Sequence, residues 1–357
     1  MPTDYLPSLA LTFGLAFVLS IGLTLLAQGI GRKLGLIDAP RGRHKHQHRV
    51  VKFGALPLWG AFTITALVAQ RLPIERGDPF EVVRLAGLLL GGLFAFLFGI
   101  LDDRFDLPSL PQYLVQVVTA AIGIIFLIFI ERFNNPLTGN TEVLPFIVTV
   151  TVSLFWLGLM MNTLNFLDGI DGLAAGVTFI ASLLLFIHTL REGQLSVSLL
   201  PLALMGTTLG FLIFNWHPAR IFMGSGAVYL GYTLGALSII GGAKMATILL
   251  VMGLPLLDVA WQVARRIITG KNPLFGDRGH THFRLIDAGM SPRLICLGYY
   301  LFCAAFGVLA LATTSRQFKL VAIVVMVILV LIGFALVARL RPSAVKPSNT
   351  EDNVDGS

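Results

Sequence analysis

Charge is scarce in this sequence. Asp, Glu, Lys and Arg make up only 13% of the 357 residues, which is about half the share of a typical soluble domain. Apolar residues make up 55%, and the mean hydropathy is +0.82. A soluble chain with so few charges would be unusual, because too little polar surface is left to face water. We therefore predict an integral membrane protein that lipid surrounds over most of its length.

Cysteines are few, and internal repeats are lacking. The two cysteines, Cys296 and Cys303, lie seven residues apart in one apolar run. One helix would carry both, so we expect buried filler residues and no structural disulfide. Paired repeats are typical of secondary transporters, and none is visible. A transporter nevertheless stays as the alternative from a different functional class.

Long apolar runs dominate the chain. A membrane-spanning helix needs about 20 apolar residues. Eleven runs come close to that length, near residues 6–30, 53–71, 82–101, 110–130, 143–161, 172–190, 196–215, 226–241, 244–263, 293–313 and 318–338. We predict an all-α, polytopic helical bundle of about eleven transmembrane helices. Residues 1–340 would form a single catalytic domain, and residues 341–357 a disordered cytoplasmic tail.

Several glycines suit close helix packing in lipid. They are Gly91-Gly92, Gly231, Gly235 and Gly241-Gly242. The eighth run, at 226–241, is short and rich in glycine, which makes it the weakest of the predicted spans.

Lys and Arg are distributed unevenly over the loops. Most of the 26 lie in every second loop, above all in segments 31–52 and 264–293. Positive loops remain in the cytoplasm, so the pattern predicts an N-out, C-in orientation. The net charge of +7 then reflects loops beside anionic lipid and does not indicate nucleic-acid binding. All polar clusters described below fall on the predicted cytoplasmic side, which predicts one site on one face.

The first cluster follows the third apolar run. It contains three carboxylates within five residues: Asp102, Asp103 and Asp106. On a helix, Asp102 and Asp106 would share a face. Clustered carboxylates suit a hard divalent cation or a proton acceptor. The alternative is a solvated helix end that uses acids to stop a span.

The second cluster follows the fifth run. Asn162, Asn165, Asp168 and Asp171 recur every three residues and would form a slanted polar stripe on a helix. Amide and carboxylate oxygens together suit Mg²⁺ or a phosphorylated sugar. Alternatively, the segment is an ordinary polar turn rich in Asn, Asp and Gly.

The third cluster lies at 276–284. His280 and His282 are two residues apart and would face apart on a helix, so an extended or loop segment is expected. Zinc would need more His or Cys ligands. The histidines with Arg278 instead suggest a phosphate clamp, in which the guanidinium donates two hydrogen bonds. The alternative is a positive loop with incidental histidines.

The fourth segment, 38–54, is strongly basic and includes Arg43 and His46. It could attract acidic lipid headgroups or the phosphates of a nucleotide. Charge that merely sets the membrane topology explains it equally well.

Taken in order, these segments resemble the polyprenyl-phosphate N-acetylhexosamine-1-phosphate transferases. The resemblance covers about residues 38–289. The family's D-D-x-x-D motif is met by Asp102, Asp103 and Asp106. Its N-x-x-N-x-x-D-G-x-D-G-L-A-A-G segment is met over residues 162–176, and this long motif is the strongest signal in the chain.

Two further family segments are met in part. The D-R-x-H-x-H-H segment is met by Asp277, Arg278, His280 and His282, and its last histidine is Phe283 here. The first-loop pattern D-x-P-x-x-R-K-x-H is met by Asp38, Pro40, Arg43 and His46, with His44 where Lys is usual.

The resemblance implies a reaction. A sugar-1-phosphate, N-acetylglucosamine-1-phosphate in the branch that fits better, passes from a UDP-sugar to polyprenyl (undecaprenyl) phosphate, and UMP is released. This would be a first membrane step of cell-envelope polysaccharide assembly, at the cytoplasmic face of the bacterial inner membrane. Mg²⁺, or Mn²⁺ in its place, is the implied cofactor, and a homodimer is compatible with the resemblance.

The resemblance also implies roles for individual residues. The catalytic candidates are Asp102, Asp103, Asp106, Asp168 and Asp171. The metal candidates are Asp102, Asp103, Asn165 and Asp168. The substrate-binding candidates are Asn162, Asn165, Asp277, Arg278, His280, His282, Arg43 and His46.

One departure from the family affects the metal site. The family usually has F-M-G-D-x-G-S, and its aspartate is a magnesium ligand. Here the segment is F-M-G-S-G-A over residues 222–227, as though the aspartate were absent. Ser225 would be only a weak, neutral substitute, so one negative charge near the metal is missing. A catalytically impaired relative is therefore an alternative.

Two other enzyme classes compete. The branch that uses UDP-N-acetylmuramoyl-pentapeptide more typically carries H-H-H-F in the third segment. CDP-alcohol phosphotransferases also use clustered aspartates, but their D-G-x-x-A-R signature is absent, because Leu173-Ala174-Ala175-Gly176 follows Asp171-Gly172.

Overall fold

Helices make up most of the protein. The structure is a computed structural model, and it describes residues 5–38, 49–135, 140–242, 245–270, 280–313 and 315–339. Among these residues, seven helices are long and apolar enough to cross a membrane, and three further apolar helices are shorter. The prediction of an all-α polytopic membrane protein is confirmed. The count of eleven spans and the N-out, C-in orientation stay predictions, and the predicted tail at 341–357 lies outside the described residues.

The helices follow the apolar runs of the sequence. In chain order they are α1 (Leu6–Leu34), α2 (Ala55–Ala69), α3 (Glu81–Phe105), α4 (Ser109–Ile125), α5 (Phe146–Leu167), α6 (Leu173–Arg191), α7 (Leu195–Asn215), α8 (Gly226–Ile240), α9 (Met245–Val251), α10 (Gly253–Ile268), α11 (Thr281–Asp287), α12 (Pro292–Ala312) and α13 (Arg316–Arg339). The ninth run is thus divided into two helices at Met252. The short α11 lies where we expected only loop.

Helix α8 lies at the centre of the bundle. It packs against α5, α3 and α2, and almost all of its residues are buried. A helix enclosed by other helices does not need a continuous apolar surface for lipid, which explains why this span gave the weakest signal in the sequence. By contrast, α13 exposes apolar side chains such as Val324, Ile328 and Ile332 along its outer face.

Glycines allow α8 to approach its neighbours closely. A Cβ added to Gly231 would lie 2.4 Å from the Cα of Met161 in α5. A Cβ on Gly91 of α3 would lie 2.3 Å from the hydroxyl oxygen of Tyr232 in α8. That hydroxyl donates to the carbonyl of Gly87 at 2.8 Å. The predicted role of these glycines in close packing is confirmed at both contacts.

A small sheet, which we did not predict, joins two loops. Strand β1 (Ile37–Asp38) pairs antiparallel with β2 (Val50–Lys52), and β2 pairs parallel with β5 (Ile221–Phe222), with Val51 opposite Ile221. A separate hairpin joins β3 (Arg132–Asn134) to β4 (Thr141–Val143). The three-stranded sheet brings the end of the first basic loop beside the 223–225 turn, where the candidate site begins.

We expect Gly231→Ala to lower the melting temperature of the detergent-solubilised protein. The added methyl group would collide with the α5 backbone, and overpacking of this kind costs about 1–3 kcal/mol. Gly333→Ala is the matched control, because a Cβ there meets nothing within 4 Å and alanine favours the helix. Equal melting temperatures for the two variants would show that the α5–α8 contact is not tightly packed.

Candidate active site

Asp103 is enclosed at the last turn of α3. Its side chain is only 1% exposed and forms an ion pair with the Nζ of Lys52 at 3.3 Å. The backbone N–H of Ser225 donates to its carboxylate at 3.0 Å, and the Ser225 hydroxyl does so at 2.7 Å. Gly224 leaves the room for this contact, since a Cβ there would lie 2.6 Å from the Oδ2 of Asp103. The carboxylate is therefore held from two sides, by a cation and by a turn.

Lys52 is placed by strand pairing. It is the last residue of β2 and pairs in register with Phe222 of β5, three residues before Ser225. Burial by itself lowers the pKa of Lys52, but the nearby carboxylates, Asp103 foremost, outweigh it and raise the pKa above its ordinary value. Lys52 is thus a permanent cation beside Asp103. Sequence reasoning counted it only as part of a basic loop.

The turn that lacks the family's aspartate closes on Asp103. The Ser225 hydroxyl lies 2.7 Å from Asp103 and 2.6 Å from the carbonyl of Gly99. A hydroxyl group has one hydrogen to donate, so these two acceptors share it inside the protein. Where the family pattern has a second carboxylate, this turn offers Asp103 the Ser225 hydroxyl, and the Lys52 ammonium group lies beside Asp103 through the pairing of β2.

The other two acids of the first cluster are not enclosed with Asp103, although the Oδ1 of Asp106 also lies 4.0 Å from the Nζ of Lys52. Asp102 accepts from the side-chain amide of Gln112 at 2.9 Å and from the N–H of Leu107 at 3.1 Å. Asp106 ends the helix in the left-handed conformation, with φ of 48°, and its side chain is 94% exposed. The prediction that Asp102 and Asp106 share a helix face was wrong, because α3 ends at Phe105.

The polar stripe of the second cluster is divided by the end of α5. Asn162 and Asn165 lie within the helix, whereas Asp168 is its C-cap and Asp171 belongs to the following turn. The prediction of one helical stripe was therefore wrong beyond Leu167. Asn162 donates to the side chain of Gln116 at 2.6 Å, and Asn165 is exposed.

Asp168 is electrostatically coupled to the first cluster. Burial is the main cause that holds its pKa well above the ordinary value, and the charges of Asp171 and Asp103 raise it further, against Lys52. Two segments that are about 65 residues apart in sequence thus place Asp103 and Asp168 close enough for their charges to interact.

Asp171 holds a turn. Its Oδ2 lies 2.8 Å from the Nδ1 of His217 and accepts from the N–H of Ala219 at 3.1 Å. Asn215 reinforces the same junction, since it accepts from the N–H of Gly172 at 3.0 Å and donates to the carbonyl of Ile221 at 3.0 Å. The Asp171 carboxylate therefore connects the second cluster to the loop after α7.

A third group is built around Asp258, a residue that sequence reasoning missed. It is a lone carboxylate in the apolar ninth run, and that isolation was the available signal. Its Oδ2 lies 2.9 Å from the Nδ1 of His280, and its Oδ1 accepts from the N–H of Thr281 at 3.0 Å. His280 caps α11 and His282 lies in its first turn. The prediction that both histidines belong to an extended or loop segment was thus wrong for His282.

The histidines border the second cluster. The Nε2 of His282 would lie 3.0 Å from a Cβ placed on Gly169, and the ring of Phe283 would lie 2.5 Å from it. The rings of Phe166 and His280 are 4.8 Å apart. Phe283, which replaces the family's last histidine, packs on His282 with ring centroids 4.4 Å apart. The structure therefore brings His280 and His282 to the 165–169 segment.

Four predicted substrate-binding residues lie outside the described residues: Arg43, His46, Asp277 and Arg278. Within the described ranges, no three His, Cys, Asp or Glu side chains converge as a preformed metal site. Of the predicted metal set, Asp102 is directed to Gln112 and Asn165 is exposed, while Asp103 and Asp168 are electrostatically coupled.

We expect Lys52→Met to lower catalytic turnover by about 10- to 100-fold, because a charge-assisted contact to Asp103 is lost. Lys52→Arg keeps the positive charge and should retain most of the activity. Turnover by the purified protein in detergent is the measurement. If the methionine and arginine variants were equally active, the charge at residue 52 would have no role.

The contribution of His282 to stability should fall with acidification. Burial lowers the pKa of His282 from an ordinary 6.5 to about 4, against the opposing attraction of Asp258. Between those values the unfolded chain binds a proton that the folded chain does not. This contribution is therefore complete above pH 6.5 and falls by about 1.4 kcal/mol per pH unit as the pH approaches 4.

Melting temperatures between pH 7.5 and 5 measure this effect. His282→Gln removes the titrating group, so acidification should lower its melting temperature less than that of the wild type, whereas the raised pKa of Asp168 acts with the opposite sign in both proteins. An unchanged slope in that variant would mean that other groups control it.

Comparisons with known proteins show what the chain as a whole is similar to. The glycosyl transferase family 4 profile matches residues 85–242. The chain is 31% identical to the decaprenyl-phosphate N-acetylglucosaminephosphotransferase of Mycolicibacterium smegmatis, over 87% of this chain and 82% of that protein. It is 30% identical to the protein of the same description in Mycobacterium tuberculosis strain H37Rv, over 81% and 78%.

A further relative comes from Escherichia coli K12. The undecaprenyl-phosphate alpha-N-acetylglucosaminyl 1-phosphate transferase of that organism is 29% identical, over 80% of this chain and 79% of the relative. The matched regions include the acids at 102–106, the 162–176 segment and the turn at Ser225. With the helical membrane fold and the joined polar clusters, these similarities show that the chain belongs to glycosyl transferase family 4.

Proposed function

We propose that the protein transfers N-acetylglucosamine-1-phosphate from UDP-N-acetylglucosamine to a polyprenyl phosphate and releases UMP. The observation that carries this proposal is the coupling of Asp103, Asp168 and Lys52 in one site, within a chain whose relatives are described as N-acetylglucosamine-1-phosphate transferases of polyprenyl phosphates. The reaction would be a membrane step of cell-envelope polysaccharide assembly.

The position of the site suits one soluble and one lipid-anchored substrate. Asp103, Asp168 and Asn215 lie at the C-terminal ends of α3, α5 and α7. These helices alternate with others along the chain, so their ends share one end of the bundle. A polyprenyl phosphate anchored in the bilayer would present its headgroup there, and a UDP-sugar would arrive from water. The predicted orientation makes this the cytoplasmic face of the inner membrane.

The main barrier is repulsion between two anions. The second pKa of a phosphate ester is about 6, so the lipid phosphate is largely a dianion at neutral pH and needs little help from a base. Lys52 supplies a fixed positive charge in the site. His280 and His282 border the same segment as Asp168 and would contact the diphosphate or the sugar. Asn165, exposed at the end of α5, would contact the donor.

A divalent cation fits the acids that face this site. Mg²⁺ usually binds through one or two carboxylates together with substrate phosphates and does not need a complete protein cage. Asp103 and Asp168 would hold it, and the raised pKa of Asp168 marks a place where a cation is favoured. The ion would neutralise charge on the transferring phosphoryl group. Mn²⁺ prefers the same oxygen ligands.

An impaired enzyme is the second candidate. The observation that favours it is the turn at Gly224-Ser225, which offers Asp103 a hydroxyl group and contains no carboxylate. A site with one negative charge fewer binds a divalent cation more weakly. The muramoyl-pentapeptide branch and a transporter have no such observation in their favour.

UMP release by the purified protein in detergent tests the proposal. Separate reactions contain polyprenyl phosphate, Mg²⁺ and either UDP-N-acetylglucosamine or UDP-N-acetylmuramoyl-pentapeptide. We expect release only from the former, dependent on lipid and abolished by EDTA. Asp103→Asn should reduce it by about 100-fold or more. Asp78→Asn, which removes an acid paired with Arg84 before the opposite end of α3, is the matched control and should leave it unchanged.

No release from either donor by folded wild-type protein would refute the proposed activity. An aspartate inserted between Gly224 and Ser225 would then distinguish between the two remaining explanations. If this insertion restored UMP release, the protein would be an inactivated member of the family. If it did not, another class of function would be indicated.

A further inference from the structure

Asp258 is a buried carboxylate whose oxygen atoms are all engaged by one segment. It lies in α10, and its side chain and that of His280 are each only 3% exposed. Its Oδ2 contacts the Nδ1 of His280 at 2.9 Å. Its Oδ1 accepts from the N–H and the hydroxyl of Thr281, at 3.0 Å and 2.5 Å. A buried carboxylate normally needs such partners, and here they all come from the start of α11.

The two histidines beside Asp258 have unused nitrogen atoms. Within the described part of the chain, the Nε2 of His280 and both ring nitrogens of His282 are buried without a hydrogen-bond partner. The two rings stack with centroids 5.5 Å apart. His280 also packs on Phe166, and the Nε2 of His282 faces Gly169. Buried polar atoms without partners are uncommon, and both rings lie against the segment that contains Asn165 and Asp168.

We propose that Asp258 is a positioning residue that orients His280, so that the imidazole Nε2 donates a hydrogen bond to the diphosphate of the UDP-sugar. The proposal rests on the proposed function and deepens it. It adds Asp258, which does not touch the substrate, and it gives His280 and His282 different roles.

The chemistry follows from the Asp258–His280 contact. A carboxylate accepts only, so the Nδ1 of His280 must carry the hydrogen, and this determines the tautomer and the orientation of the ring. A phosphate oxygen at the other edge of the ring would need a hydrogen on Nε2 as well, and only the imidazolium form carries both. In that form the Nε2 carries a hydrogen as well and becomes a charged donor for a phosphate oxygen. His282 lies 3.9 Å from Asp258 through its Nδ1, and burial keeps it neutral, with a pKa of about 4.

A purely structural role is the competing explanation, because Asp258 also caps α11 through Thr281. The two oxygen atoms separate these roles. Thr281→Val removes the hydroxyl hydrogen bond to Oδ1 and leaves the contact of Oδ2 with His280. Asp258→Asn weakens both contacts, and His280→Gln leaves the carboxylate and the cap in place.

The test is a double-mutant cycle in the full-length protein, with two readouts. UDP affinity is measured by calorimetry in detergent, and kcat/KM is measured by UMP release. We expect Asp258→Asn and His280→Gln each to weaken UDP binding by about 10- to 100-fold. The double variant should be no weaker than His280→Gln alone, because Asp258 acts through that ring. Thr281→Val should bind UDP like the wild type, and so should Asp78→Asn, the matched control.

Each outcome decides one point. Additive losses in the double variant, or a loss in Thr281→Val equal to that in Asp258→Asn, would overturn the positioning role and leave a structural one. The positioning role would also be overturned if folded His280→Gln bound UDP as tightly as the wild type. This measurement remains possible even if Asp258→Asn does not fold. If the wild type bound UDP but released no UMP, the proposed reaction would be refuted. The UDP affinities of the variants would still test whether Asp258 acts through His280.

Discussion

The ion pair between Lys52 and Asp103 is the contact on which the rest of the site depends. Asp103 ends a helix that crosses an apolar bundle, where an uncompensated charge would be costly. Lys52 reaches it because β2 pairs with β5, and the same pairing brings Ser225 to the carboxylate from the other side. The Asp103 carboxylate therefore joins three segments that are distant in sequence. If Asp103 were lost, Lys52 and the backbone N–H of Ser225 would both lose their partner at the end of α3.

Paired charge is a general feature of this bundle. At the start of α3, Glu81 is buried against Arg76 and accepts from the Ser196 hydroxyl at 2.8 Å. Asp258 is enclosed in the same way by donors from the start of α11. In each case a carboxylate inside an apolar bundle is matched by a donor from another segment, because lipid offers no water to solvate it. These contacts determine how the helix ends are arranged, while close packing at glycines determines how near the helices come.

The site has an acidic part and a histidine part, and they meet at the 165–169 segment. Asp103 and Asp168 lie on one side with Lys52, and His280 and His282 lie on the other. The acids share a field that raises the pKa of Asp168, whereas burial keeps His282 neutral. A phosphorylated donor that binds between them would contact a cation at the acids and polar N–H groups at the histidines.

The sequence by itself determined that the chain is a helical membrane protein, and it determined the ranges of the helices closely. Both follow from the length and position of apolar runs, which lipid requires of any span. The acidic and histidine segments could also be recognised, because charged residues are conspicuous in such a chain. Only the tertiary structure decided which of those residues face each other. Because α3 ends at Phe105 and α5 ends at Leu167, acids that a continuous helix would have aligned are separated. The pairing of β2 with β5 places Lys52 beside Asp103. Asp258 acquired its partners from a segment more than twenty residues away in sequence. Such contacts depend on where helices end and how chain segments distant in sequence meet, and local periodicity contains no information about either.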